Sequence, residues 1–273
     1  MKKLQSNGWV SYYLYYEADP DALLTIRVWP FVKRLTEKQL ISQFFFIRYT
    51  DSRGPHIRLR LLPFSAHTRQ AVMRHGRKVF PDAKFAAYIP ETERYGGSVG
   101  LPIAERLFQA SSAAVLQLLA QDGTWSYRRA LASGLQMHIG MLQALALSRA
   151  ETVALCKHIA EIESEKSVEL LEQGFAAQRD VIVPQLTAVW AACEKKVDFK
   201  DDWFTDWRQA AAQISVEIHQ ANKLRKFELV DSTHHASQLW CLYESYIHMT
   251  NNRLGIMRRD EAFVAYLLQR SLG

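Results

Sequence analysis

The sequence predicts an α+β fold: an N-terminal ferredoxin-like βαββαβ sheet followed by a mainly helical C-terminal half. Three observations carry that reading. In the first hundred residues, aromatic-rich or alternating runs interleave with helical periods in the order strand, helix, strand, strand, helix, strand. From Leu101 onward helical periods continue with almost no strand signal. Only 12 Gly and 8 Pro occur in 273 residues, too few for a loop-rich chain.

Residues 9–17 (WVSYYLYYE) are aromatic-rich without helical spacing and read as a strand. Asp19-Pro20 supplies an N-cap followed by Pro at the first helical position. The helix it opens is bent at Trp29-Pro30 and runs on to Leu40. Residues 43–49 (QFFFIRY) and 56–62 (HIRLRLL) are strands joined as a hairpin through the polar turn Asp51-Ser52-Arg53-Gly54-Pro55. A helix over 65–79 ends in basic residues, Arg74 to Lys78, that suit its C-terminal dipole, and 84–90 is a fourth strand. The helices expected beyond are 102–121, 125–147, 149–177, 179–197, 203–226, 232–253 and 258–271. Residues 1–100 and 101–273 are expected to be two regions packed as one unit.

Composition bounds the function. With 34 Lys+Arg against 28 Asp+Glu the net charge is +6, a mild excess that fits an acidic partner such as an acidic peptide. At 48% hydrophobic and 23% charged residues the chain is neither disordered nor a disulfide scaffold. Its three cysteines are isolated with no CxxC, so no cysteine metal site is implied and a reducing cytoplasm is the default. The N-terminus lacks the apolar core of a signal peptide, and no apolar run is long enough to span a bilayer.

Three segments could carry chemistry. In the strand His56-Ile57-Arg58-Leu59-Arg60, alternation puts His56, Arg58 and Arg60 on one face and Ile57, Leu59 and Leu61 on the other. Three cationic or cationisable groups repel one another, so that face is either solvated or a site for carboxylate or phosphate. In Glu91-Thr92-Glu93-Arg94-Tyr95-Gly96-Gly97, Glu91 and Arg94 follow a strand end, and the glycines permit positive φ and close approach to a ligand. A plain turn is the alternative, and a full GxGxxG in a βαβ unit is missing. In Ile247-His248-Met249-Thr250-Asn251-Asn252-Arg253-Leu254-Gly255, His248 and Asn252 share a helix face that Gly255 ends. A structural role for a lone histidine stays open there. No HExxH, GxSxG or P-loop lysine motif occurs, and FFFIRY does not match the RNP1 signature of RNA-binding sheets.

Together FFFIRYTD, PHIRLRLL, PETERYGG and IHMTNNRLG, in that order, resemble the C-terminal domain of lantibiotic dehydratases, which also occurs alone as the thiopeptide-type bacteriocin biosynthesis family. The resemblance covers essentially the whole chain. It implies a lyase of ribosomal-peptide antibiotic biosynthesis. In that family a larger domain or partner glutamylates Ser/Thr of a precursor peptide, and the small domain eliminates glutamate to leave dehydroalanine or dehydrobutyrine. A diverged branch instead closes a pyridine by a formal [4+2] cycloaddition. A non-catalytic subunit that binds the precursor is a third reading. Retention of the motif arginines and histidine favours elimination.

Carried over motif by motif, the resemblance makes His248, Arg60 and Arg94 catalytic, and Arg58, Glu91, Tyr95, Asn252 and Arg253 substrate-binding. It implies no metal and no cofactor. The resemblance is to the free-standing form without a glutamylation region, so the expected partners are the precursor peptide, leader plus core, and a separate glutamylation subunit. No direct contact with nucleic acid or membrane is implied, the location is cytoplasmic, and a homodimer is among the assemblies allowed. Arg60 and Arg94 are expected to converge on one anion site, with His248 brought to it by the helix over 232–253.

Overall fold

The computed structural model describes residues 8–121, 125–162, 168–195, 197, 199, 202–229 and 239–273. The chain divides into two compact units: Met1–Glu91 with Ser111–Thr124, and Thr92–Ala110 with Trp125–Gly273. The class is α+β, with a four-stranded sheet near the N-terminus and helices through the rest.

The first unit is built on β1 (Val10–Tyr15), β2 (Ile41–Asp51), β3 (Gly54–Pro63) and β4 (Lys84–Phe85), in the order β2-β3-β1-β4 with antiparallel neighbours. Register decides what each face holds. Ser11 opposes Arg60, Tyr13 opposes Arg58 and Tyr15 opposes His56; on the other side Phe45 opposes Arg60 and Tyr49 opposes His56. Opposed residues share a face. One face therefore carries the arginines, and the other carries Tyr12, Leu14, Ile57, Leu59 and Leu61, all buried.

Helices α1 (Pro20–Leu23), α2 (Trp29–Glu37) and α3 (Ala66–Val79) belong to this unit. Asp19 caps α1 with Pro20 at its first position, as the sequence predicts. The bend expected at Trp29-Pro30 is a π turn, Leu24–Val28. Pro30 cannot donate to Ile26 and its ring crowds that carbonyl, so the wider turn accommodates it. Ser65 and Thr68 form a reciprocal capping box at the start of α3. Gly76 of α3 lets Tyr12 lie flat against the helix, where a Cβ would stand 2.0 Å from the Tyr12 hydroxyl oxygen.

β4 is shorter than the strand expected over 84–90. Lys84 and Phe85 pair with β1, and Ala86 N adds one bond to Ser11 O at 3.2 Å. Pro90 has no N–H to give a ladder. Tyr88 turns instead to the arginine face, edge-on to Trp9 and Phe45 at 5.7 and 5.8 Å.

The second unit contains α5 (Tyr127–Ala144), α6 (Arg149–Ile162), α7 (Val168–Ala176), α8 (Arg179–Glu194), α9 (Asp202–Lys223), α10 (Trp240–Leu254) and α11 (Arg258–Leu272). The single helix expected over 149–177 corresponds to α6 and α7, with 163–167 outside the described residues. The expected helix over 232–253 is described from Trp240 onward, and 232–238 lie outside the described residues. Gly255, at φ 79°, ends α10 as the expected left-handed cap. The turn it makes is held by Tyr127, whose hydroxyl accepts from Met257 N at 3.1 Å and donates to Asp260 at 2.6 Å.

Gly76→Ala should lower the urea midpoint of unfolding by the equivalent of roughly 1–3 kcal/mol, because the new methyl must displace a fully buried Tyr12. Unchanged stability would contradict the packing described.

Candidate functional site

Arg60 sits mid-strand at only 3% exposure. Its Nη1 donates to Ser11 Oγ. The guanidinium carbon lies 5.2 Å from the Tyr13 ring centroid and 5.3 Å from that of Tyr88. Its Nε is buried without a hydrogen-bond partner among the described residues. Burial pushes its pKa down and the Tyr13 hydroxyl pushes it back up, but an arginine stays charged at any physiological pH. Arg58, half-buried, lies 3.3 Å over the Tyr49 ring and 4.9 Å from that of Tyr13. No carboxylate pairs with either guanidinium among the described residues. Tyrosine faces give both cations partial compensation, since a ring quadrupole attracts them without neutralising them. The face is thus neither a solvated surface nor a closed ion-pair network.

His56 corrects the picture of three mutually repelling cations. It is fully buried among the rings of Tyr13, Tyr15 and Tyr49. Burial depresses its pKa, partly offset by the Gly54 carbonyl and the Asp51 carboxylate. Nδ1 lies 3.2 Å from the Gly54 carbonyl, which can only accept, so Nδ1 carries the proton. Nε2 is then a lone pair and accepts from Arg58 Nε at 3.3 Å. The histidine is neutral and steadies its neighbour.

The second unit holds the other motif residues. Arg94 belongs to a one-turn 3-10 helix, Thr92–Tyr95, and its Nε donates to Ser245 Oγ of α10 at 3.1 Å. Ser245 and His248 are three residues apart, on one side of α10. Arg94 and His248 are therefore served by the same helix face. His248 is part-exposed, and its Nδ1 lies 3.0 Å from both carboxylate oxygens of Glu261 on α11. Behind this pair, Asn251 Nδ2 donates to Glu261 Oε2 at 3.4 Å, and Asn251 Oδ1 lies 2.8 Å from Nε2 of His138 on α5. The charged group described at His248 is a carboxylate.

The remaining predicted residues are placed as follows. Glu91 is exposed at the end of the first unit's main segment. Tyr95 is buried, edge-on to Phe108 at 5.1 Å. Arg253 is fully buried, stacks 4.6 Å over Phe108, and donates to the Met249 carbonyl of its own helix at 2.6 Å. Asn252 is half-buried at the helix end. Gly96 and Gly97 have φ near 80° and lead into α4 (Gly97–Gln121), a 25-residue helix. What approaches them is this chain's own Phe227 and Glu228, with Glu228 N donating to Gly96 O at 3.1 Å. The glycines serve packing, not a phosphate cradle.

Sequence reasoning passed over Ser11, Tyr13, Tyr49, Tyr88, Ser245, Glu261, Asn251 and His138. Strand register would have found the first three. Glu261 lies 13 residues beyond His248, across a helix-ending Gly255, and that turn was the available signal.

His138 is fully buried with Nδ1 unpartnered among the described residues, and burial depresses its pKa to about 4. The unfolded chain binds this proton more readily. Its contribution to stability is therefore present above about pH 6.5 and is lost as pH falls toward 4. Between pH 7.5 and 5, unfolding stability should drop by on the order of 2 kcal/mol more in the native chain than in His138→Gln. Equal pH dependence in chemical denaturation would contradict this.

The family model for the lantibiotic biosynthesis dehydratase C-terminus matches residues 9–272. The chain is 22% identical over 280 residues to nisin biosynthesis protein NisB of Lactococcus lactis subsp. lactis, a match covering 98% of this chain and 26% of that protein. It thus spans about a quarter of that relative's length. Three solved structures are similar in fold. The tRNA-dependent lantibiotic dehydratase MibB from Microbispora sp. 107891 matches with a TM-score of 0.67 at 20% identity, over 98% of this chain and 28% of that one. TsrL matches with a TM-score of 0.68 at 16% identity, over 96% and 93% of the two chains. The pyridine synthase TbtD from thiomuracin biosynthesis matches with a TM-score of 0.75 at 15% identity, over 97% of each chain.

Proposed function

We propose that this chain, which belongs to the lantibiotic biosynthesis dehydratase C-terminal family, eliminates glutamate from glutamylated Ser or Thr of a precursor peptide. The observation that carries the reading is the buried Arg60 guanidinium, which has tyrosine neighbours, an unpartnered Nε and no carboxylate partner among the described residues. Such a group is complete only when an anion arrives. The departing glutamate has one free carboxylate and one released from the ester. We assign Arg58 and Arg60 to the free carboxylate and Arg94 to the one that leaves.

His248 is the base. It takes the Cα proton, the C–H electron pair becomes the Cα–Cβ double bond, and the Cβ–O bond breaks with its pair leaving on glutamate. The products are dehydroalanine or dehydrobutyrine and free glutamate. Glu91 is assigned to the glutamyl ammonium. Asn252, Arg253 and Tyr95 are assigned to holding the segments that bear His248 and Arg94. A separate glutamylation subunit supplies the substrate. The fold reading goes with this one: β3 lies between β1 and β2 with β4 outside β1, an order we take as ferredoxin-like.

A second reading is pyridine formation by cycloaddition. Its support is the end-to-end match to a pyridine synthase, over 97% of each chain. The two readings separate on substrate. Given a precursor glutamylated beforehand, the purified chain should release glutamate with the matching loss of peptide mass, and it should leave an unmodified precursor untouched. Release of no glutamate, together with conversion of a peptide carrying two dehydroalanines to a ring, would replace the first reading with the second.

Arg60→Met separates function from structure. A buried charge exchanged for an apolar side chain of similar length is expected to leave stability equal or higher. The melting temperature should hold or rise while glutamate release falls at least about 100-fold. A strongly lowered melting temperature would mark Arg60 as structural.

A further inference from the structure

His248 has a partner that fixes where its proton sits. We infer that Glu261, itself oriented by Asn251 and His138, is a positioning residue that holds His248 as the Nδ1–H tautomer and leaves Nε2 as the reactive lone pair. The inference deepens the elimination reading and rests on it for the word reactive; the tautomer itself rests on geometry.

Donors and acceptors assign each shared proton from His138 to His248. Glu261 is buried in the first turn of α11. A carboxylate only accepts. The Asn251 amide must then turn Nδ2 to Glu261, which leaves Oδ1 facing His138. Oδ1 also only accepts, so His138 carries its proton on Nε2. With no acid beside it among the described residues, in a fully buried position, His138 is neutral. On the other side of Glu261, the nitrogen 3.0 Å from both its oxygens is Nδ1 of His248, which must be the protonated one.

Helices and a tight turn frame these four side chains. Three helices contribute: α5, α10 and α11. Gly134, one turn before His138, makes room for the α10 end, where a Cβ would come within 2.8 Å of Ile256. Gly255 and Tyr127 fix the turn that swings Glu261 back beside His248. A small cavity of about 40 Å³ adjoins the pair, lined by Ile159, Ile162, Glu244, Ile247, His248 and Glu261. The second carboxylate there, Glu244, lies 3.2 Å from His158 of α6. It is engaged elsewhere, which makes Glu261 the orienting group and Glu244 a control.

The function of such a partner is to prevent tautomer loss. With Nδ1 free to exchange roles, part of the enzyme would present an N–H to the substrate Cα, where a base is needed. In a histidine–carboxylate pair, exchanging the carboxylate for an amide costs about 10⁴ in turnover for this reason.

The test reads the tautomer directly. Nitrogen-15 imidazole NMR of the full chain, with His248→Gln used to assign the resonances, should show Nδ1 protonated and Nε2 bare at pH 7.5. Glu261→Gln should lose that single tautomer and reduce kcat for glutamate release by roughly 10³–10⁴-fold, with KM changed less than about threefold. Glu261→Asp should keep the tautomer and most of the rate, and Glu244→Gln should change neither. An Nε2–H tautomer or a doubly protonated ring in the native chain would overturn the inference. So would a Glu261→Gln protein whose tautomer is unchanged. If the native chain shows the Nδ1–H form but releases no glutamate, the elimination reading falls and the tautomer assignment stands. If Glu261→Gln fails to fold, the native spectrum and the Glu261→Asp rates still decide.

Discussion

A guanidinium removed from water without a carboxylate partner is the constraint on which the first unit depends. Isolating an ion in a protein interior costs several kcal/mol even after relaxation, and Arg60 is 3% exposed. The sheet offsets that cost with groups that attract a cation and cannot neutralise it. Ser11 arrives by register from β1, Tyr13 from the same strand, and Tyr88 from the segment after the shortened β4. An aspartate or glutamate built into the same wall would pair with the arginine directly. His56 obeys the same logic. Neutral and fully buried, it accepts from Arg58 without adding a third positive charge.

The second unit is built the other way round. Its titratable side chain comes with a dedicated carboxylate, Glu261, and two further groups line up behind that carboxylate. The first unit holds cations without a carboxylate among the described residues, and the second pairs a histidine with a carboxylate.

Some of this was legible in the sequence. Alternation in HIRLR assigned the faces of β3 correctly, and Ile57, Leu59 and Leu61 are fully buried on the face predicted for them. The order of motifs pointed to the family whose model spans residues 9–272. Other features were illegible for physical reasons. The neutrality of His56 depends on which nitrogen meets the Gly54 carbonyl, and spacing does not encode that. Residues 84–90 read as a full strand, but aromatic contacts drew Tyr88 away and Pro90 could not pair. Gly96 and Gly97 suggested a ligand loop because glycine marks close approach without saying what approaches; Phe227 and Glu228 do. Glu261 was missed because a helix period relates residues within α10, and its partner lies on the next helix.

Arg60 and its tyrosine wall are proposed to hold a carboxylate belonging to the substrate. Calorimetric titration with a precursor analogue in which an amide replaces the glutamyl ester, so that nothing can be eliminated, tests it most directly. The account predicts that the native chain binds this peptide at least about tenfold more tightly than the same peptide without glutamate, a preference that Arg60→Met abolishes. Equal affinity of the native chain for the two peptides would contradict it.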